Sequence, residues 1–371
     1  MSKGDLIYIC DEVTGTMSSE LFRIEVNQIG EYVQMGSCPR RFKLDLNGRE
    51  LAKKVPFFTR ALNPLDPVLQ EMGREREERW ELSLIRAGHT KISSKDEDGE
   101  RQSISWEEFV ERLGKEARPG APFYAREVEL SGTIGRFSIH GRCDFIVLHW
   151  KDGKPKLRVV ECKASRKDKT YHRVQLAAYV LLIRAYLADG TFNIAGHLLE
   201  ASSLEGVVAR IDEKGDNQEI MSLPSFDLTT EMEDVLRLLS EGGELDRITS
   251  TDIDELSYRI DRRCDPCVFS VICLPESARC RRLELLDMDP SSLRVLRENG
   301  IGDIDDLAEL DARSETALRI RRSPGFVGNL TSLISKAKAR RATLPGSAKD
   351  GYEVEKLPGL QIGRASCRER V

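Results

Sequence analysis

The sequence predicts an α/β protein with a mixed central sheet flanked by helices, followed by a small all-helical C-terminal module. Strand-like runs alternate with helical periodicity from about residue 123 to residue 240. Within this part, Asp152-Gly153 is a strong two-residue turn signal between two apolar runs. From residue 289 to residue 341, only helical patterns and helix-ending residues occur.

The elements before residue 123 are predicted mainly from helix signals. Residues 1–30 mix short apolar runs with turns and indicate a small strand-rich entry. A helix is expected from about Asn27, an N-cap candidate, and a longer one is expected to end at Gly88. Ser105 and Glu108 then have the spacing of a capping box, which predicts the start of a further helix.

The predicted strands come next and are followed by helices with clear ends. Strand patterns occupy REVELSG, GRFSIHGRCDFIVLHW and KLRVVECKA. The apolar helix TYHRVQLAAYVLLIRAYLADG is expected to end at Gly190. Two further strands lie in GHLLEAS and EGVVARID, and the helix after them is expected to stop at Gly242 and Gly243.

Composition indicates an intracellular protein with a real core. The chain has 371 residues, of which 40% are hydrophobic and 32% are charged. The longest apolar stretch begins at Val174, is interrupted by Arg184 and is too short to span a bilayer. The N-terminus lacks the pattern of a signal peptide, so we expect a cytoplasmic protein without a membrane partner. A net charge of −5 does not argue against nucleic-acid binding, because local charge decides it.

The last ten residues, IGRASCRERV, resemble a translated sequencing adapter. They carry three arginines and one glutamate, a net charge of +2, so the remaining chain has a net charge of −7. We exclude residues 362–371, and Cys367 with them, from the argument. This interpretation also leads us to expect a truncated natural C-terminus.

The Asp152-Gly153 turn predicts which residues face each other across the hairpin. With these two residues as the loop, the numbers of paired residues add up to 305, which places Asp144 opposite Glu161 on one face. A six-residue loop has the same parity and leaves Asp144 on the face of Glu161 and Lys163.

Two carboxylates that face each other repel, and partial burial increases the repulsion. A divalent cation would relieve it, because Mg²⁺ accepts one or two carboxylates and can also bind a substrate phosphate. A lysine beside the cation, Lys163, can orient or help deprotonate an attacking water. A surface charge cluster, with Lys163 paired to Glu161 or Asp144, stays open as the alternative interpretation.

The helix after the hairpin carries a polar stripe on an otherwise apolar surface. His172, Gln175 and Tyr179 fall at positions i, i+3 and i+7 and therefore share one helical face. Such a stripe faces either solvent or a site.

These residues resemble a known family. Asp144, Glu161-x-Lys163 and Gln175-x-x-x-Tyr179 are similar to the PD-(D/E)XK nuclease core in its RecB-like form. The Gln-x-x-x-Tyr helix is the specific part, since Glu-x-Lys alone is common. The resemblance covers roughly residues 24–341 and implies a restriction-endonuclease-like core.

The resemblance implies hydrolysis of phosphodiester bonds with Mg²⁺ or Mn²⁺. Asp144, Glu161 and the main-chain carbonyl of Cys162 would be metal ligands. Lys163 would position the attacking water.

The resemblance also implies two further roles. Gln175 and Tyr179 would brace the site or touch DNA. Many members carry a histidine four residues after a glycine on an early helix, but here Glu77 stands four after Gly73. Glu77 is therefore the candidate replacement ligand, with Arg76 beside it, and a solvated helix-face charge is the alternative.

The cysteine spacing suggests a metal centre. Nine cysteines in an intracellular chain argue for metal or redox use, and Cys264-x-x-Cys267 suits a tetrahedral thiolate site. A RecB-like subgroup has one cysteine before the core and a Cys-x-x-Cys-x₅-Cys group after it. The resemblance therefore implies a [4Fe–4S] cluster held by Cys38, Cys264, Cys267 and Cys273. Zinc, with Cys280 as the fourth ligand, is the alternative.

The C-terminal segment resembles a helix-hairpin-helix module. The glycines of two turns, Gly300 with Gly302 and Gly325 with Gly328, each precede a helix and would let main-chain amides approach a DNA phosphate. A helical packing or protein-docking module is an equal alternative.

A basic run after the Glu-x-Lys strand could follow a nucleic-acid backbone. The nucleic-acid-binding candidates in and beside this run are Arg166, Lys167, Lys169, His172 and Arg173.

The expected organisation has four parts. A nuclease domain with the cysteine group spans residues 1–285 and the helical module spans 286–345. A linker, or the start of a truncated region, covers 346–361, and the adapter-like segment covers 362–371. The order of these parts resembles a subgroup of RecB-family nucleases found in larger proteins, so a helicase or a further C-terminal domain is a candidate partner.

The expected function is cleavage of DNA, as an exonuclease on single strands or ends in repair or recombination. A CRISPR-associated spacer-trimming exonuclease and a non-catalytic iron–sulfur module that binds DNA ends are the alternatives. RNA stays open as a substrate.

Overall fold

The structure is a computed structural model that describes residues 21–48, 67–94, 103–188, 190, 192–212 and 214–344. The predicted linker at 346–361, the adapter-like segment at 362–371 and most of the predicted strand-rich entry lie outside these residues. By spatial contacts, the chain divides into two units, Met1–Asp254 and Glu255–Val371. The sequence boundary at residue 285 lies later, because it keeps the cysteine segment with the first domain, and it stays a prediction.

The first unit is built on a seven-stranded sheet in the order β2-β4-β5-β6-β9, with β1 beside β5 and β3 beside β4. Strands β7 and β8 form a separate pair. The strand bounds are β1 Phe22–Glu25, β2 Thr90–Lys91, β3 Ile104–Ser105, β4 Phe123–Ile134, β5 Phe137–Lys151, β6 Lys154–Lys163, β7 Asn193–Ile194, β8 His197–Leu198 and β9 Leu204–Arg210.

Antiparallel and parallel pairs coexist in this sheet, as predicted for a mixed sheet. Strands β4, β5 and β6 are antiparallel neighbours in chain order. Strand β9 joins β6 in parallel after a helical crossover, and β1 joins β5 in parallel.

The turn between β4 and β5 depends on a glycine. Ile134 pairs with Phe137, so Gly135 and Arg136 form a two-residue turn. Gly135 has a φ of +56°, and a Cβ atom there would lie 2.3 Å from the carbonyl oxygen of Leu239. No other residue type fits this turn without moving the main chain.

Both units contain helices, and helices of the first unit flank the sheet. The helix bounds are α1 Val26–Gln34, α2 Pro39–Leu46, α3 Pro67–Arg86, α4 Trp106–Glu116, α5 Thr170–Leu187, α6 Thr229–Leu239, α7 Glu244–Ser250, α8 Ser270–Arg279, α9 Pro290–Glu298, α10 Ile304–Glu309, α11 Glu315–Arg322 and α12 Leu330–Thr343. The predicted capping residue Ser105 accepts a hydrogen bond from the Glu108 amide at the start of α4. No described helix has both the length and the apolar character that crossing a bilayer requires.

Helix α5 is the central helix of the first unit, and most of its residues are buried. Helix α1 packs closely on it at Gly30, where an added Cβ would lie 3.3 Å from the Tyr171 carbonyl oxygen and 3.4 Å from the Gln175 Cβ. An apolar cluster around Trp80, Phe145 and Val160 joins α3 to the sheet. The hairpin β5–β6 is therefore held between helices.

The two strands that share one edge of β5 separate near its middle. Strand β1 pairs with β5 at 137–140, and β6 pairs with it at 145–151. Among the described residues, 141–144 have no strand partner on that edge. Beyond this point, β6 continues along β9. The sheet is thus forked at Asp144.

The second unit contains α8 to α12 around its own apolar core. Helices α9 and α10 are joined by the turn that contains Gly300 and Gly302, and helices α11 and α12 by the turn that contains Gly325 and Gly328. The all-helical character predicted for the segment 289–341 agrees with these elements.

Candidate active site

The β5–β6 hairpin has the predicted register. Its pairs run from Lys151 with Lys154 to Phe145 with Val160, and every pair adds up to 305. Asp144 and Glu161 are the next residues outward, at the point where the sheet forks. The arithmetic from the turn is confirmed, but the main-chain ladder ends one step before the two carboxylates.

A cleft of about 690 Å³ opens at the fork. Asp144, Glu161, Gln175 and Tyr179 all line it, and Glu77 lines it from α3. The structure therefore brings together the candidate carboxylates with Gln175 and Tyr179 of the following helix.

Asp144 is held by the main chain of the opposite strand. Its Oδ2 accepts a hydrogen bond of 2.6 Å from the amide of Cys162. Burial and the nearby Glu161 carboxylate raise the pKa of Asp144, although the Cys162 amide opposes the shift. The charged form of Asp144 is therefore unfavourable without a further cation.

Glu161 and Lys163 form a close pair beside Asp144. Lys163 Nζ lies 2.5 Å from Glu161 Oε1. Burial raises the pKa of Glu161 despite this lysine. Burial alone would lower the pKa of Lys163, but the charge of Glu161 and their hydrogen bond outweigh it, so the pKa of Lys163 is raised. Lys163 is therefore protonated at neutral pH.

The residues at the fork fit a hard divalent cation. Glu161 is 4% exposed, and its Oε2 has no hydrogen-bond partner among the described residues. With Asp144 beside it, one more positive charge would satisfy both carboxylates. The described residues contain no cluster of three or more His, Cys, Asp or Glu side chains arranged for a metal. Two carboxylates completed by waters are a normal ligand set for Mg²⁺.

Glu77 lines the cleft but is engaged by an arginine. Arg126 Nη2 lies 2.8 Å from Glu77 Oε2, and Arg126 Nη1 lies 2.9 Å from Glu81 Oε2. The negative charge of Glu77 still reaches Asp144 and raises its pKa further. Its predicted role as a ligand stays a prediction.

The Gln-x-x-x-Tyr helix braces β5. The buried hydroxyl of Tyr179 donates a 2.9 Å hydrogen bond to the carbonyl of Arg142, two residues before Asp144. The ring also packs on Gly141, where an added Cβ would lie 2.8 Å from Tyr179 Cε1. Gln175 is buried and lines the cleft. Tyr179 thus holds in place the part of β5 that lies between its β1 and β6 partners.

Replacing Tyr179 with phenylalanine is expected to slow cleavage about tenfold, because Asp144 loses its support, at a cost of about 1 kcal/mol in stability. Single-turnover cleavage and thermal unfolding would measure the two effects. Tyr186→Phe is the matched control: its hydroxyl donates to the carbonyl of Ser131 on β4. Equal rates for the two variants would contradict this bracing role.

Glu127 also lines the cleft, although the sequence pattern did not indicate it as a site residue. The β4–β5 pairs add up to 271, which places Glu127 opposite Asp144, yet this one pair is missing from the ladder. Glu127 has a φ of +53°, is 8% exposed and lines the cleft. A left-handed non-glycine residue costs about 1–3 kcal/mol and often marks a functional site. The Gly135-Arg136 turn was the signal that could have located it.

The predicted nucleic-acid contacts differ in accessibility. Arg166, Lys167 and Lys169 are exposed. His172 is 2% exposed, and its ring is not accessible to a nucleic acid in this structure. Burial and the nearby charge of Lys163 lower the pKa of His172 to about 4, so the ring is neutral. Of the three residues that the periodicity placed on one face, Gln175 and Tyr179 line the cleft, whereas His172 is covered.

Arg173, the last residue of the basic run, is engaged within the first unit. It lies 3.1 Å from Glu231 and 3.3 Å from Asp168. Its guanidinium also lies over the ring of Phe226.

The two glycine turns of the second unit differ in the surroundings of their glycines. The amide of Gly302 donates to Asp306 Oδ2 at 2.8 Å, so its own helix occupies it. Gly328 is exposed, with a φ of +108°. Contact of either turn with DNA stays a prediction.

The four cysteines of the predicted cluster form no disulfide among the described residues. Cys38 precedes Pro39 at the start of α2 in the first unit, and Cys264, Cys267 and Cys273 lie in the second unit. Each is partly buried, and Cys280 is exposed. In the part of the chain that the structure describes, these cysteines do not form a group of three or more His, Cys, Asp or Glu side chains arranged for a metal.

Comparison with known proteins bears directly on this geometry. A search of curated proteins finds no significant match. The solved structure described as "Crystal structure of SSO0001" is 19% identical, with a TM-score of 0.32, over 70% of this chain and 89% of that one. The family model of the PD-(D/E)XK nuclease superfamily matches residues 31–274. This match contains the β5–β6 hairpin and the helix that carries Gln175 and Tyr179, and the chain belongs to the PD-(D/E)XK nuclease superfamily.

Proposed function

We propose that the protein is an exonuclease that hydrolyses phosphodiester bonds in single-stranded DNA or at DNA ends, with Mg²⁺ or Mn²⁺. Superfamily membership supports a metal-dependent nuclease. The observation that carries the proposal is the pair Asp144 and Glu161, which line one cleft together, with Lys163 bonded to Glu161. A role in repair or recombination, and the RecB-like subgroup, are part of the same proposal.

Hydrolysis adds a water oxygen to phosphorus and releases the sugar oxygen. Asp144 and Glu161 would hold the cation together with the Cys162 carbonyl, and the bound cation would neutralise charge that develops on the phosphate. Lys163 is protonated, so it acts as a hydrogen-bond donor that orients the attacking water. The Cys162 amide and Tyr179 keep Asp144 in position.

The test is cleavage of DNA strands labelled at the 5′ or the 3′ end, single- or double-stranded, with Mg²⁺, Mn²⁺ or EDTA. We expect products only with the cation, and the labelled end that is shortened first gives the polarity. Absence of cleavage under all these conditions would favour a non-catalytic end-binding module. Cleavage confined to RNA would correct the substrate.

We also propose that Cys38, Cys264, Cys267 and Cys273 hold a [4Fe–4S] cluster. The support is their sequence spacing, including Cys38-Pro39 before the core. We also propose a helicase or a further C-terminal domain as a partner. The support is the order of the predicted parts along the chain.

Anaerobic purification is expected to yield a brown protein with broad visible absorption and bound iron. Cys38→Ser should remove the colour, because the cluster loses a ligand, whereas Cys280→Ser should keep it. A colourless protein that contains zinc and loses it in the Cys280→Ser variant would establish the zinc alternative. Metal analysis of the three proteins decides between the two.

A further inference from the structure

The active-site cleft continues from Asp144 along β5 towards β1. Alternate residues of β5, Arg142 and His140, line it, and Arg23 of β1 lines it further on. Arg23 pairs with Ser138 in the parallel β1–β5 ladder. At about 3.3 Å per residue, Arg142, His140 and Ser138 lie roughly 7, 13 and 20 Å from Asp144 along the strand.

Arg142 is placed to meet a ligand. Its side chain is 58% exposed, and its Nη1 lies 3.3 Å from Oε2 of the buried Glu127. Its own carbonyl accepts the hydrogen bond from Tyr179. The main chain and one edge of the guanidinium are therefore fixed, while most of the side chain faces the cleft. Glu127, whose main chain is left-handed, thus places a carboxylate beside the guanidinium of Arg142.

His140 and Arg23 extend the same line. His140 lies opposite Ser131 on β4, and its Nε2 is 3.0 Å from Ser138 Oγ. Arg23 is 67% exposed and lies 3.7 Å from Glu25 Oε1. Both side chains offer hydrogen-bond donors to a ligand that lies along β5.

We propose that the substrate strand runs along β5 from Asp144 towards β1, with Arg142 binding the phosphate next to the scissile one and Arg23 binding a phosphate further along. This inference rests on the proposed nuclease function and adds the path of the strand and the residues that bind it. Arginine is suited to this role because its planar fork matches phosphate oxygens.

The walls of the cleft favour one strand over two. Glu25, Glu107 and Glu129 line it together with Glu127 and the two site carboxylates. A single strand can place its phosphates on the arginines, whereas a second backbone would bring phosphates near these carboxylates. The substrate class is therefore single-stranded DNA, or the unpaired end of a duplex.

The experiment measures binding of fluorescent oligo(dT) of about 4 and about 16 nucleotides. EDTA is present so that the oligonucleotides are not cleaved. Arg142→Ala is expected to weaken binding of both lengths about tenfold and to reduce the salt slope by about 0.7, as for one lost phosphate contact. Arg142→Lys should recover the slope. Arg23→Ala should weaken only the long oligonucleotide. The control is Arg184→Ala, an exposed arginine of α5 outside the cleft.

Wild-type affinity and slope in Arg142→Ala would overturn the proposed path, as would equal effects of Arg23→Ala on both lengths. Equal binding of a duplex of the longer length, or no binding of single strands by the wild type, would overturn the substrate class. These failures are distinct from failure of the proposed function, which appears as absence of metal-dependent cleavage by the wild type.

Discussion

Asp144→Asn is expected to lose metal-dependent cleavage by roughly 100-fold or more and, at the same time, to stabilise the cation-free protein. The loss follows because the amide is a poor ligand for a hard cation. The gain follows because one of two mutually repelling carboxylates becomes neutral, while the amide oxygen still accepts from the Cys162 amide.

Thermal unfolding of the wild type and Asp144→Asn, in EDTA and with Mn²⁺, measures both sides of this prediction. The cation should stabilise the wild type, by about 2.7 kcal/mol at 100 times its dissociation constant, and have little effect on the variant. Asp234→Asn, at a partly exposed aspartate of α6, is the control and should match the wild type. A variant that is less stable than the wild type in EDTA would show that Asp144 is not under electrostatic strain.

Lys163→Ala is expected to reduce cleavage by roughly 10²–10⁴-fold while binding of the cation is kept. The ammonium that orients the water is removed, but Asp144 and Glu161 stay. Cation affinity should rise rather than fall, because Glu161 loses the positive charge that lies 2.5 Å away. Single-turnover cleavage and the Mn²⁺-induced shift in unfolding temperature measure the two effects separately.

Lys163→Arg and Lys154→Ala are the matched controls for this variant. The arginine keeps the positive charge but moves the donors, so it should restore stability more than rate. Lys154 is exposed beside the hairpin turn, and its removal should change neither quantity. Cleavage by Lys163→Ala at the wild-type rate would refute the mechanism.

Local signals were enough to predict the central hairpin and its register. Asp152-Gly153 is a two-residue turn in the structure, with φ values of +51° and +73°, and this turn alone sets the register that brings Asp144 to Glu161. The helix that carries Gln175 and Tyr179 was visible from its apolar length and covers 170–187. The α/β class followed from these elements.

Other parts of the site depend on tertiary structure that no local pattern shows. The fork arises because β1, more than a hundred residues earlier in the chain, takes part of the edge of β5 that β6 leaves. The left-handed conformation of Glu127 breaks a strand pattern that looked regular in REVELSG. Arg142 was read as an ordinary strand residue, because its role depends on that fork.

His172 illustrates how a correct periodicity can still give a wrong impression of exposure. A polar stripe on a helix predicts a shared face, but only packing decides whether that face meets water. Here packing covers His172, which is buried and neutral, while Gln175 and Tyr179 of the same helix line the cleft.

The short chain distance between the two carboxylates has a consequence for folding. Asp144 and Glu161 belong to neighbouring strands of one hairpin, and such local pairs form early, before distant segments dock. The repulsion between them is therefore met at the start of folding, before α5 and β1 have docked. Divalent cations should accordingly act on the rate at which this domain folds, and not only on the stability of the finished fold.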